Sequence, residues 1–192
     1  MYPKMIHNKV DLKYYLERDR IANEIQKITI YEKFLKIFEP NLIWEFIVCL
    51  RKYEYYKNTN KRFIVDRIKR KYYLYRYKKL GVLLGFSIPP NVFGPGLRIP
   101  HYGTIVVHPF VKVGENCIIQ VGVNIGINQN GVPEIGDNVY IGPGVKLFGA
   151  IIIGDDIAIG ANSVVNKSFP LNNITIAGIP AKIIKHCKAD ER

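Results

Sequence analysis

The sequence predicts a mainly β protein, a solenoid of short stacked strands behind a basic α-helical region. The first observation is a beat of six. From Ile135 an aliphatic residue returns at Ile141, Leu147, Ile153, Ile159 and Val165, and glycine follows at Gly136, Gly142, Gly154 and Gly160. Upstream the same step links Val113, Ile119 and Ile125, with Gly114 and Gly126 beside them. A helix repeats its inward face every 3.6 residues and a plain strand every two. A step of six fits a coil of three flat sides, each side pointing one aliphatic residue into a narrow core. Glycine is expected to ease the corner between sides. The second observation is an uneven charge. Residues 1–90 hold 20 Lys/Arg against 9 Asp/Glu, and residues 91–192 hold 8 against 7. A near-neutral solenoid thus follows a strongly basic N-terminal part.

The elements follow in order. Residues from about 9 to 84 read as helices, the first with Asp11 as its expected N-cap. Ile30 to Phe38 is a second apolar-periodic segment, stopped by Pro40. Asn41 to Tyr56 is a third, with Leu42, Phe46, Leu50 and Tyr53 at helical spacing. Asn58-Thr59-Asn60 is a turn signal, and Phe63 to Leu84 is a fourth helix, long and basic. Gly85 and Pro89-Pro90 end this region. The expected domains are therefore 1–86, helical, and 87–192, solenoid with a short tail. The solenoid is read from Ile88 to Val165, after which the pattern dissolves.

Two places break the beat. Between Ile99 and Val113 the register slips, and the slip holds His101 and His108. Between Ile125 and Ile135 the step is ten, and the surplus Asn128-Gln129-Asn130-Gly131 should bulge as a loop. A rigid rod carries function on such excursions.

Composition excludes several classes. No apolar run is long enough to span a bilayer, and Met1 to Lys9 lacks the apolar core of a signal peptide, so a cytoplasmic protein is expected. Cys49, Cys117 and Cys187 are odd in number and far apart, which fits reduced thiols better than a disulfide frame or a zinc site. Lys61 to Lys79 is dense in basic residues, with Tyr72, Tyr73, Tyr75 and Tyr77 interleaved. This stretch reads as a solvated helical face or as attraction to a membrane surface. No nucleic-acid-binding motif accompanies it, nor does any glycine cluster form a phosphate-binding loop.

The hexapeptide pattern, His101-Tyr102-Gly103-Thr104 and the terminal Ala177-Gly178-Ile179-Pro180-Ala181-Lys182 together resemble the left-handed β-helix acyltransferases. The resemblance covers roughly residues 80–185. Its nearest branch looks like serine acetyltransferase and its relatives in capsule and surface-polysaccharide gene clusters. It implies a left-handed parallel β-helix, acetyl-CoA as acyl donor, no metal, and a homotrimer with grooves between subunits. A dimer of trimers through the helices stays open. It implies His101 as general base, because an alcohol is a poor nucleophile at neutral pH without one. A backbone N–H is expected to meet the oxyanion.

For the donor, the resemblance implies Gly142 and Pro143 at one coil corner, Gly160 and Ala161 at another, and Lys182 near the coenzyme A phosphates. For the acceptor it expects an aspartate before the histidine, a second upstream and a second histidine in a His-Pro pair. Here those positions hold Pro100, Ser87 and Val132-Pro133. Because an ammonium favours a carboxylate neighbour, these departures point to a sugar hydroxyl of a surface polysaccharide or its precursor. Serine O-acetylation for cysteine synthesis is the alternative, and a silent hexapeptide scaffold is a third reading. A metal-dependent hydratase of the same fold would need three converging histidines, and the solenoid holds only His101 and His108. The remaining histidines, His7 and His186, are expected to be incidental. The basic helical region would suit peripheral contact with the inner membrane face.

Overall fold

The computed structural model describes residues 5–26, 41–59 and 63–186. The expected helix at Ile30–Phe38, together with Lys61, Arg62 and Cys187, lies outside these residues. Among these residues three helices come first: α1 (Lys9–Ala22), α2 (Leu42–Asn58) and α3 (Ile64–Leu84). Thirteen strands follow, almost all of two or three residues, and they build a left-handed parallel β-helix. No described helix is long and apolar enough to cross a membrane.

The coil has three faces. The first stacks β1 (Phe86–Ser87), β2 (Ile105–Val107), β5 (Asn124–Gly126), β8 (Lys146–Phe148) and β11 (Val164–Val165). The second stacks β3 (Lys112–Val113), β6 (Glu134–Ile135) and β9 (Ile152–Ile153). The third stacks β4 (Ile118–Ile119), β7 (Tyr140–Ile141), β10 (Ile157–Ile159) and β12 (Ile174–Gly178), and β13 (Ala181–His186) closes it antiparallel. Register puts one aliphatic column inside each face. Val107, Ile125, Leu147 and Val165 form the first, Val113, Ile135 and Ile153 the second, and Ile119, Ile141, Ile159 and Ile176 the third. All are buried, as the beat of six predicts. The solenoid runs further than the beat suggested. Phe169 pairs with Ile153 and β12 pairs with β10, so a fifth coil persists with uneven steps, four from Val165 to Phe169 and seven from there to Ile176.

The glycines ease the corners as expected, and they do so by clearance and not by a left-handed backbone. Gly136, Gly142, Gly154 and Gly160 do not have positive φ. Their role is close approach: a Cβ on Gly136 would lie 2.8 Å from the Gly154 carbonyl, and one on Gly154 would lie 2.5 Å from the Leu171 carbonyl. The left-handed conformation at the corner between the second and third faces falls to Asn116, Asn138, Asp156 and Asn173. These short polar side chains tolerate that region because they can bond locally. Beside them runs a second ladder. Asp137 accepts from the Glu115 amide at 2.7 Å, Asp155 from the Asp137 amide at 2.8 Å, and Asn172 from the Asp155 amide at 3.0 Å. The carboxylates of Asp137 and Asp155 thus staple coil to coil.

Asp11 is not the N-cap of α1. Asn8 takes that place, its side chain accepting from the Val10 and Asp11 amides, while Asp11 accepts from the Asn8 amide at 3.2 Å. This reciprocal capping box starts the helix three residues earlier than Asp11 alone would. A buried salt bridge holds α1 and α2 to the first coil. Arg51 donates to Asp19 at 2.7 Å, to Glu54 at 3.1 Å, and to the Phe93 and Gly94 carbonyls. Asp19 also accepts from the Gly96 and Leu97 amides, and Glu54 from the Asn91 amide. Burial opposes the Arg51 charge, but Asp19 and Glu54 outweigh it and raise the guanidinium above its ordinary value. Burial likewise pushes the Glu54 carboxyl up, with Arg51 and the Asn91 amide drawing it back. Helix α3 is tied by Tyr77, which donates to the Ile88 carbonyl at 2.6 Å. Burial, then Glu54 and Tyr53, push its phenol up to about 12, so it remains a donor. One buried cluster runs from Phe46, Leu80 and Leu84 into the coil.

Breaking a buried ion pair leaves an uncompensated charge, which costs about 3–5 kcal/mol. Asp19→Ala should lower unfolding stability by that amount in urea titration.

Candidate active site

The site is built from the corner between the third and first faces. From Arg98 to Val106 the chain takes eight steps, where Ile118 to Asn124 and Tyr140 to Lys146 take six. The longer corner cannot stay flush with the stack. Its backbone is pinned where the Gly103 amide donates to the Leu84 carbonyl and the Ile105 amide to the Gly85 carbonyl, both near 3 Å. The surplus therefore projects, and it carries His101 and Tyr102, both exposed. This is the register slip seen in the sequence.

The same corner recurs on the next coils with the other expected residues. Pro143 and Ala161 stand exposed one above the other, tied where the Asn162 amide donates to the Pro143 carbonyl at 2.8 Å. Gly142 and Gly160 sit beside them under constraint: a Cβ on Gly142 would lie 2.6 Å from the Ile159 carbonyl, and one on Gly160 would lie 2.9 Å from Ala177 Cβ. Packing alone requires glycine at both. Lys182 is exposed on β13, paired across the final hairpin with Ala177 one coil further on. Successive coils rise about 4.8 Å, so His101 and the Ala177–Lys182 pair lie roughly 19 Å apart along the axis. His101, Pro143, Ala161 and Lys182 thus share one edge. An extended, flexible arm laid along that edge would meet His101 at one end and Lys182 at the other.

Other residues lie beside His101 that the sequence pattern did not single out. A cavity of about 320 Å³ is lined by His101, Pro100, Arg98, Trp44, Asn41 and Asn23. Arg98 is paired with Glu24 at 2.8 Å. The side chain of Asn23 holds this region by donating to the Leu97 carbonyl at 2.7 Å and accepting from the Ile99 amide. These residues come from α1, α2 and coil one, and no local motif links them. Lys146 was also missed. Its ammonium donates to the Gly122 carbonyl at 2.5 Å, capping this corner between two coils.

His108 stays out of the column. It follows β2 at the far end of the first face, half-buried, its ring edge-on to Phe110 with centroids 5.3 Å apart. His7 and His186 are exposed in terminal segments. Ser87 is exposed on β1, and Val132 packs against the core from the loop that Asn128 and Gly131 close with two backbone bonds. Among the described residues no group of His, Cys, Asp and Glu could hold a metal ion. A larger groove of about 540 Å³ lies along the second face, lined by Phe93, Lys112, Glu134, Ile152 and Asp155, and it lacks His101.

The fold and this edge define a class, the hexapeptide-repeat β-helix with an exposed histidine at a lengthened corner. No protein-family model matches the chain. It is 32% identical over 181 residues to a serine acetyltransferase of Staphylococcus epidermidis, covering 91% of this chain and 76% of that protein. It is 37% identical over 108 residues to the serine acetyltransferase of Synechococcus elongatus. That match covers 54% of this chain and 44% of the relative, so the chain spans about half the length of such relatives. In three dimensions it resembles serine acetyltransferase from Brucella abortus, solved in complex with coenzyme A. The TM-score is 0.68 at 25% identity, over 94% of this chain and 70% of that one. The chain belongs to the serine acetyltransferase family.

The relatives overturn the glycan acceptor expected from Pro100, Ser87 and Val132, because they are serine acetyltransferases. The physical weakness of that expectation is plain. A missing carboxylate weakens one contact to an ammonium, yet it selects no sugar. Arg98 lines the cavity beside His101, and its partner Glu24 comes from the end of α1, remote in sequence.

Cys49 and Cys117 are buried, and burial pushes both thiols above their ordinary value, Cys117 furthest. Thiolates react and thiols do not. In a Cys187→Ser protein, a chromogenic disulfide reagent should titrate almost no thiol until denaturant is added.

Proposed function

We propose that this chain is an acetyl-CoA-dependent O-acetyltransferase whose acceptor is serine, with His101 as general base. The observation that carries the reading is the projecting His101 on the edge that also holds Pro143, Ala161 and Lys182. Family membership across nearly the whole chain supports the donor and the acceptor. Pro143 and Ala161 are the contacts proposed for the pantetheine arm, with Gly142 and Gly160 letting the coils close beneath it. Lys182 is the contact proposed for the coenzyme A phosphates.

In the reaction the His101 imidazole takes the proton of the serine hydroxyl as that oxygen attacks the thioester carbonyl. The tetrahedral oxyanion then collapses and expels the coenzyme A thiolate. The imidazolium returns the proton to sulfur, so histidine ends as it began and the products are O-acetylserine and coenzyme A. Because Ser87 and Pro100 supply no carboxylate, the amino acid is recognised elsewhere. Arg98 is suited to its carboxylate and Glu24 to its ammonium, each charge meeting its opposite.

A homotrimer fits this chemistry. The first face turns Val106 and Phe148 outward, with Ile127 exposed just beyond it, and a second copy against it would make the His101 edge one wall of a groove. Closed cyclic symmetry satisfies three such contacts at once.

Thiol release from acetyl-CoA with serine tests the reading. His101→Ala should lower kcat by about 10²–10⁴, the usual contribution of a general base, with the KM for acetyl-CoA nearly unchanged. Turnover that survives the substitution would remove His101 from the role. Arg98→Ala should raise the KM for serine about tenfold, the loss of one charge-assisted contact, and leave the KM for acetyl-CoA alone. A matched rise in both constants would count against Arg98 as a serine contact.

A further inference from the structure

Helix α3 has two apolar faces, and only one of them packs against the described core. Tyr73, Tyr77, Leu80, Gly81 and Leu84 pack inward against the core. On the opposite side Ile64, Ile68, Tyr72, Tyr75 and Val82 recur at steps of three, four and seven, so they form one straight stripe. They are 64%, 60%, 53%, 63% and 86% exposed. Phe63, Val65 and Leu83 widen the stripe at its ends. Scattered apolar side chains on a surface are ordinary, but a continuous stripe on a helix of 21 residues is not. At 1.5 Å per residue it runs for roughly 30 Å.

Charge decides what could cover it. Between Ile64 and Leu84 the helix carries seven Lys/Arg and a single acid, Asp66. Only Arg76 is engaged by an ion pair among the described residues, with Glu45 of α2. Lys71 and Lys78 flank one side of the stripe and Lys69 the other, all exposed. Lys79 rises through it, its ammonium over the Tyr75 ring at 6.0 Å. A second copy of this helix would set two such rows of cations together with little to answer them. An apolar stripe with lysines at its margins instead matches the headgroup boundary of an anionic bilayer. Apolar groups and tyrosine rings enter the boundary, and lysine stems reach back to the phosphates.

We propose that the outward face of α3 docks this protein on anionic membrane surfaces. The proposal is independent of the acceptor and of His101. It assigns the basic charge of the N-terminal part a location and an orientation: α3 lies in the plane of the interface, and the β-helix projects from its other face.

The test is co-sedimentation of the full chain with phosphatidylcholine vesicles, with and without phosphatidylglycerol. Anionic vesicles should bind at least about tenfold more protein than neutral ones, and raised salt should release part of it. Ile68→Glu combined with Tyr75→Glu should abolish binding. So should Lys71→Gln, Lys78→Gln and Lys79→Gln together, while circular dichroism and thiol release from acetyl-CoA stay unchanged in both. The lysine variant keeps the test open if the first does not fold. No binding, equal binding to both vesicles, or binding that survives loss of the stripe would overturn the proposal. A concentration-dependent rise in mass that Ile68→Glu abolishes, without vesicle binding, would also overturn it and give the stripe to self-association.

Discussion

The structure depends on how closely one coil can lie against the next. Gly136 under Gly154, and Gly142 under Ile159, leave no room for a Cβ between backbones. That approach brings each amide within reach of the carbonyl on the coil above. The Gly136 amide donates to Ile153 and the Gly142 amide to Ile159, both at 2.9 Å. Strand pairing between coils then fixes register, and register is what turns a linear beat of six into columns. The three aliphatic columns fill the core, and the corner columns collect residues far apart in sequence. His101, Pro143, Ala161 and Lys182 share an edge for no other reason.

A solenoid end has an unpaired last coil, and this one is covered by helices. Arg51 reaches through α2 to the Phe93 and Gly94 carbonyls, while Asp19 of α1 accepts the amides of Gly96 and Leu97. The backbone groups of the irregular first coil are thereby satisfied by side chains from the helices. The same arrangement brings Asn23, Asn41 and Trp44 beside His101. The cap and the candidate acceptor cavity are one construction.

Much of this was legible from the chain. The beat of six named the buried columns, the slip after Ile99 named the corner that projects, and His101 sits on it. The corner chemistry was read only in part. Glycine was expected where a Cβ would hinder the corner, and the paired glycines do supply that clearance, but the left-handed turns held by Asn116, Asn138, Asp156 and Asn173 were not foreseen. Asparagine or aspartate at a spacing of 22, 18 and 17 is the signal that was present, blurred by the loop insertion at Asn128 and the shortened last coil. Asn8 was passed over as a cap because Asp11 satisfied the same pattern three residues later. Arg98 and Glu24 were not legible at all. Their pairing depends on how α1 lies across the first coil, and only the tertiary structure contains that. The acceptor failed for the same reason: three positions in a motif were weighed, and of these only Pro100 lines the cavity beside His101.

The central claim is that the edge of His101, Pro143 and Ala161 is where acetyl transfer happens. A crystal structure of the protein with coenzyme A tests it most directly. The account predicts the pantetheine arm along Pro143 and Ala161, the thiol beside His101 and the phosphates toward Lys182. Coenzyme A seated in the second-face groove between Lys112 and Asp155, with His101 left bare, would contradict it.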